Sequence, residues 1–242
     1  MALAGDHAQV LVGGYELTGD SNRITVSDAY DVLDVTAFAD AVHNFILGQR
    51  TMSIDHAGYL NAAAARSHPV LKANTLDGVV SVLLGQNAAP IVGDPVYSLS
   101  TLQSKYGTTP EFNKYVPFAA MFANKGDLGG WGVALTPPLS FTNTTNGTAV
   151  NNGAASSNGG AAFLHVLQAA ASDTYTIVVE GSTTGAFAGE QTTLATFTLN
   201  ASQLGSERVA IAGTIPQYTR FKATRTGSAG NTATIAVSLV RF

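Results

Sequence analysis

The chain has 242 residues, no cysteine, a formal net charge of −4 and only 12% charged residues. Without cysteine there are no disulfides and no thiolate metal sites, and no apolar run approaches the roughly 18 residues that a membrane helix needs. So charge-poor a composition, with a mean hydropathy of +0.17, suits permanent subunit interfaces, whose cores are depleted of charge. An extracellular β-protein with an uncharged polar surface would have a similar composition. The opening MALAGDHA lacks a basic stretch and an apolar core, so no secretory leader is expected there.

Residues 10–60 carry the strongest pattern. Val10, Leu11 and Val12 lead into a Gly13-Gly14 turn, and Ile24, Val26, Leu33 and Val35 mark a β-rich run. Thr51, Ser53 and Asp55 then alternate with Met52, Ile54 and His56, a half-buried strand returning. Between them lies AFADAVHNFIL, whose Phe38, Phe45, Ile46 and Leu47 have no place in one alternating strand. A hairpin with so apolar a tip requires a partner.

The order of these residues resembles the start of bacteriophage major tail proteins, the tail tube proteins of long-tailed phages. Gly14, Tyr15, Leu17, Thr18, Asp34, Val35, Thr36, Phe38, Ile46, Gly48, Ser53, Ile54 and Gly58 match that pattern, while Ala39 stands where the family more often has glycine. The likeness runs to about residue 140. It implies a tail-tube-type β-sandwich with one flanking helix, rings of subunits (six by family expectation) and rings stacked into a tube that conducts DNA. It also implies tape measure, tail-tip and tail terminator proteins as partners, a place in the virion tail, and assembly in the host bacterial cytoplasm. Phe38, Phe45, Ile46 and Leu47 would then make the contact between rings.

Charge is uneven: residues 1–140 hold twelve acids and seven bases, the remainder four and five. Asp28, Asp31 and Asp34 on the first hairpin are candidates for an acidic lumen, because a basic lining would bind duplex DNA and stall it. A solvated acidic edge that discourages aggregation explains the same residues.

Farther along, ANTLDGVVSVLLGQ predicts a helix over 74–85, with Asn74 as cap and Leu76, Val79, Val80, Leu83 and Leu84 as an apolar stripe. A short buried strand is the competing reading of VVSVLL. PVYSLSTLQSKYG and YVPFAAMFANKG read as two strands, the first with Tyr97, Leu99, Thr101 and Gln103 on one face.

Composition then shifts. Residues 141–160 are rich in Asn, Gly, Ser and Thr and are expected to be a linker between a tube domain, 1–140, and a second β-sandwich or jelly-roll-like domain, 161–242. AFLHVLQA, TYTIVVEGS, LATFTL, RVAIAGT, YTRFKATRTG and TATIAVSLVRF are strand-like runs separated by turn residues. Core candidates are Val178, Phe197, Val209, Ile211, Phe221, Ile235, Val237 and Leu239. This part resembles the C-terminal domain attached to some phage major tail proteins. It would decorate the outside, or act as a second tube domain in a trimeric, pseudo-sixfold ring; the lack of a visible internal repeat favours the exterior.

Motifs for chemistry are missing. His7, His43, His56, His68 and His165 show no metal-ligand spacing, and there is neither a phosphate-cradling loop nor a G-x-S-x-G elbow. Arg220 and Lys222 alternate with Phe221, as an ordinary amphipathic strand does. No catalytic residue, cofactor, metal or membrane contact is expected. The rival class is a phage decoration protein or a carbohydrate- or cell-surface-binding β-module, which the second domain and Trp131 allow but a single tryptophan and 8% aromatic residues argue against.

Overall fold

A computed structural model describes residues 7–73, 77–86, 88–228 and 230–242. The fold is mainly β, with antiparallel pairing throughout. In chain order the strands are β1 (Ala8–Val12), β2 (Tyr15–Glu16), β3 (Ser21–Asp34), β4 (Phe45–Tyr59), β5 (Asp77–Leu84), β6 (Pro95–Thr108), β7 (Pro117–Asn124) and β8 (Gly130–Phe141). They continue as β9 (Thr145–Asn146), β10 (Val150–Asn151), β11 (Gly160–Gln168), β12 (Thr174–Ser182), β13 (Thr192–Thr196), β14 (Gly205–Ile211), β15 (Tyr218–Thr226) and β16 (Ala233–Arg241). The α-helix, α1, spans Ser67–Leu71.

Strand β6 is the hub. One edge pairs with β5, while the other pairs with β8 near its start and with β7 near its end. The branch β6-β7-β4-β3 curls over β1 and β5 and encloses a first core of Val10, Val12, Ile54, Val80, Tyr97, Leu99 and Phe122. Helix α1 plugs this core with Val70 and Leu71, and Gln103 Nε2 donates to the Leu71 carbonyl at 2.8 Å to hold it.

The second core lies between the sheet β14-β11-β16-β8 and the sheet built on β15-β12-β13, and it includes Tyr175, Ile177, Phe221, Ile235 and Leu239. Strands β11 and β16 are buried on both faces. Ala162, Leu164 and Val166 face this core, whereas Ala161 and Phe163 pack with Val79 of β5. Two-sided burial is why these strands read as continuous apolar runs. Gly132 permits the crossing at β8, since a Cβ there would lie 2.1 Å from the Leu239 carbonyl oxygen.

The helix expected over 74–85 is instead β5, the competing reading. Asn74 and Leu76 lie outside the described residues, and Val79 through Leu83 are all buried. A flanking helix would expose one face, but β5 is covered by the first core on one side and by β11 and β16 on the other. The β-branched valines therefore go into a doubly paired strand. Val178 corrects another expectation: Ile177 and Val179 point into the core and Val178 takes the alternate face, while the remaining core candidates contact that core.

Residues 141–160, expected as a linker, hold β9 and β10, both paired with β15. Their polar side chains replace missing apolar area with hydrogen bonds: Asn152 Nδ2 donates to Gln217 O and Thr219 Oγ1, and Ser156 Oγ to Phe242 O. The expected division at 140 falls at the end of β8, whose Leu135 and Phe141 belong to the second core.

Candidate functional site

Strands β3 and β4 pair from Ser21–Gly58 to Asp34–Phe45, and β7 covers β4 only from Ser53 onward. The outer half of the hairpin is therefore a two-stranded arm. Cross-strand partners share a face. Val32 with Leu47 and Asp34 with Phe45 lie on one side, and Leu33 with Ile46 on the other. All four apolar residues proposed from sequence are exposed: Phe38 fully, Phe45 at 59%, Ile46 at 51% and Leu47 at 68%. Tyr30, Val32, Leu33, Val35 and Val42 extend the patch. Sequence reading took Leu33 and Val35 only as part of a β-rich run and did not single out the others, because alternation in DVLDV looks the same whether a strand faces a core or a partner.

The tip is ordered by its own polar groups. Asp34 Oδ1 accepts from the Thr36 hydroxyl and, at 2.9 Å, from the Thr36 N–H; Thr36 Oγ1 accepts from Asn44 N–H at 3.0 Å. Asp40 Oδ2 accepts from Ala37 N–H at 2.7 Å. These bonds hold both carboxyls below the ordinary range: the Thr36 hydroxyl chiefly for Asp34, the Ala37 N–H for Asp40. A turn fixed this way presents Phe38 and Phe45 with less ordering entropy left to lose on docking.

The base is braced by Asp28, which takes two hydrogen bonds from Arg50 at 2.7 and 2.6 Å. Arg50 also lies 5.8 Å from the Tyr30 ring centroid. Of the three acidic candidates, Asp28 is thus neutralised by its partner, whereas Asp31 and Asp34 are exposed. Arg50→Met, which keeps the volume and leaves Asp28 unpaired, should cost about 1–3 kcal/mol. Amide exchange should rise over residues 28–50 first; unchanged exchange there would refute the brace.

Among the described residues β3 has one partner, β4, so a 14-residue strand leaves an open edge. A long edge flanked by apolar side chains is a template for another strand.

Chemistry elsewhere is occupied. Ser81 Oγ donates to His165 Nε2 at 2.8 Å, and His165 Nδ1 donates to Gly13 O at 2.7 Å. Ser98 and Ser238 continue the chain at 2.7 and 2.9 Å. All four side chains are buried between the two β units, where this serine–histidine contact ties the turn after β1 to β5, β6, β11 and β16. Burial pushes the His165 imidazole down to about 4. Arg220 and Lys222 both contact Glu180, which uses their charge inside the sheet. Beside the half-exposed Trp131 is a groove whose Arg241 is already bound to the carbonyls of Ala154 and Asn152. No group of three metal-ligating side chains occurs among the described residues, and no helix there is long and apolar enough to cross a membrane.

No protein-family model matches the sequence, and neither does any curated protein. Solved structures similar to it include a chain from the virion of a native gene transfer agent particle, 17% identical over 53% of this chain and 98% of that one, at a TM-score of 0.42. Another is the tube-terminating cap of the anti-feeding prophage, 14% identical over 51% and 88% of the two chains, TM-score 0.40. The SPP1 Dit hub protein is 10% identical over 97% and 99%, TM-score 0.35. At TM-scores below 0.5, nothing about their contacts or symmetry is carried over to this chain.

Proposed function

We propose that this chain is a structural subunit of a phage-type tail tube, assembling with copies of itself into rings, sixfold by the family resemblance, that stack into a hollow conduit for DNA. The observation that carries this is the arm: an ordered hairpin with apolar side chains exposed on both faces, on a chain with few charges. Monomeric soluble proteins rarely leave apolar patches beyond a few hundred Å² uncovered. The open edge of β3 supports lateral joining, in which sheets of neighbouring subunits continue into a closed barrel and no edge remains. Contacts that close make the ring, and contacts that do not close make the filament.

In this reading each subunit buries more than the standard interface of about 1,600 Å². Asp31 and Asp34 supply acidic groups suited to a lumen that DNA slides through without specific binding. Tape measure, tail-tip and terminator proteins would meet the ends of the tube, in a virion tail assembled in the host cytoplasm, and the second β unit would stand outside. The function needs no enzyme activity or cofactor.

Negative-stain electron microscopy of the purified chain at rising concentration tests the proposal. Stacked rings or hollow tubes are expected. Monomers that persist at high concentration, with a preformed tail-tip complex supplied as initiator, would refute it.

A further inference from the structure

The two ends of strand β4 differ from the rest of the surface in the same way. At its start is the arm. At its finish, Tyr59 lies beside the loop joining β6 to β7, where Phe112 and Tyr115 are 95% and 84% exposed. The Tyr59 and Tyr115 rings are 5.7 Å apart at a 54° tilt. Tyr59, Asn113, Lys114 and Tyr115 line an open groove of about 670 Å³. The left-handed backbone at Asn113, φ 60°, turns the loop so that Phe112 and Tyr115 project. Neither ring is among the core residues, so their exposure is not a by-product of packing.

Charge differs between these ends. Residues 28–50 hold four aspartates and one arginine, and with Asp28 closed on Arg50 the outer arm carries Asp31, Asp34 and Asp40. The loops at the aromatic end, 60–66 and 109–116, hold Arg66 and Lys114 against Glu111. Lys114 is engaged by Glu111 at 2.5 Å, and exposed Arg66 is partly offset by buried Asp20, so this end carries no excess of acid like the arm's.

We infer that the aromatic end is the receiver for the arm of a second copy of this chain, with Phe45 and its neighbours seated against Tyr59, Phe112 and Tyr115. This rests on the assembly reading above and adds the surface that completes the contact between layers. Fifteen residues of β4 separate the two ends, about 46 Å at the rise of an extended strand. A shift of that size along the strand brings one copy's arm over the next copy's aromatic cluster. An apolar projection at one end and an apolar seat at the other make a heterologous, head-to-tail contact, which repeats without limit. Asp31, Asp34 and Asp40 around the projection help set its direction, because an arm-to-arm encounter brings like charges together whereas the seat carries the closed Lys114–Glu111 pair.

The absence of cysteine from the sequence allows a direct test. A chain carrying both Phe45→Cys and Tyr115→Cys is assembled, oxidised and run on a non-reducing gel. The expected result is a ladder of covalent multimers, with each single-cysteine chain stopping at dimers or below. Tubes without a ladder would overturn the inference and leave the assembly reading standing. Failure of the unsubstituted chain to form tubes would overturn both, before any cysteine is read. If Phe45→Cys itself blocks assembly, Val42→Cys on the exposed turn takes its place, with the same two outcomes.

Discussion

Phe45→Asp should leave a folded subunit that no longer polymerises at concentrations where the parent chain forms tubes. The ring of Phe45 is 59% exposed and belongs to neither large core. Its backbone pairs with Asp34, and the tip is held mainly by hydrogen bonds of Asp34, Thr36, Asp40 and Asn44, the exposed phenyl adding a stacking contact with His43 at 6.0 Å. The fold therefore loses little. In an interface the substitution removes the roughly 1.5–3 kcal/mol of a buried phenylalanine and forces a carboxylate out of water, a cost of several kcal/mol unless it is paired. A combined loss of about 3 kcal/mol or more raises the critical concentration more than about a hundredfold. Sedimentation and electron microscopy read the assembly, and an unchanged thermal transition confirms the fold. Phe45→Leu, which keeps the apolar surface, should still polymerise. Unaltered tubes from Phe45→Asp would remove the arm from the contact.

The second large effect is a loss of stability in mild acid. His165 is buried between the two β units, and His56 is buried in the first, with Nε2 bound to Ser21 Oγ at 2.7 Å and Nδ1 unpartnered. Burial pushes both imidazoles down to about 4 from an ordinary 6.5; the Gly13 carbonyl works against this at His165, and the Asp20 charge at His56. The unfolded chain therefore takes up protons on these histidines before the folded chain does. Their contribution is fully present above about pH 6.5, declines as the pH falls, and is lost once the pH passes through 4. At 1.36 kcal/mol per pKa unit, each histidine accounts for about 3 kcal/mol across that window.

Carboxylates act lower. Hydrogen bonds from Ser182 and Thr184 hold Glu190 down to about 2, and Asp20 is also lowered, where bonds from Ser67 and Asn61 outweigh burial. The histidines thus dominate the range between pH 6.5 and 4. Urea unfolding at pH 7.5, 5.5 and 4.5 should give midpoints that fall steeply, and His165→Gln should flatten the slope even as it lowers the plateau. Equal slopes in the two proteins would show that His165 does not titrate in this range.

The first hairpin was legible because its period-two pattern at Met52, Ile54 and His56 and its apolar tip are local features. Phe38, Phe45, Ile46 and Leu47 could be singled out as surface residues for the same reason: a short chain segment cannot place so many apolar side chains in one alternating strand. The strands of the second unit were legible as runs between turn residues. β5 was not, since VVSVLL fits a helical stripe as well as a strand until β1 and β6 pair with both its edges. Likewise 141–160 has a linker's composition, and its order comes from hydrogen bonds to β15 and the chain end, more than sixty residues away in sequence.

The sequence by itself determined the β class, the apolar arm and the scarcity of charge, all properties of neighbouring residues. The tertiary structure alone decided which aspartates are ion-paired. Asp28 meets Arg50 across the hairpin, 22 positions away, while Asp31 has no such partner among the described residues. It also decided that Tyr59 joins Tyr115, 56 positions on, because β4 ends where β7 begins, at the pair Tyr59–Pro117. Strand register brings distant residues side by side, and register is fixed by burial over the whole sheet rather than by any one segment.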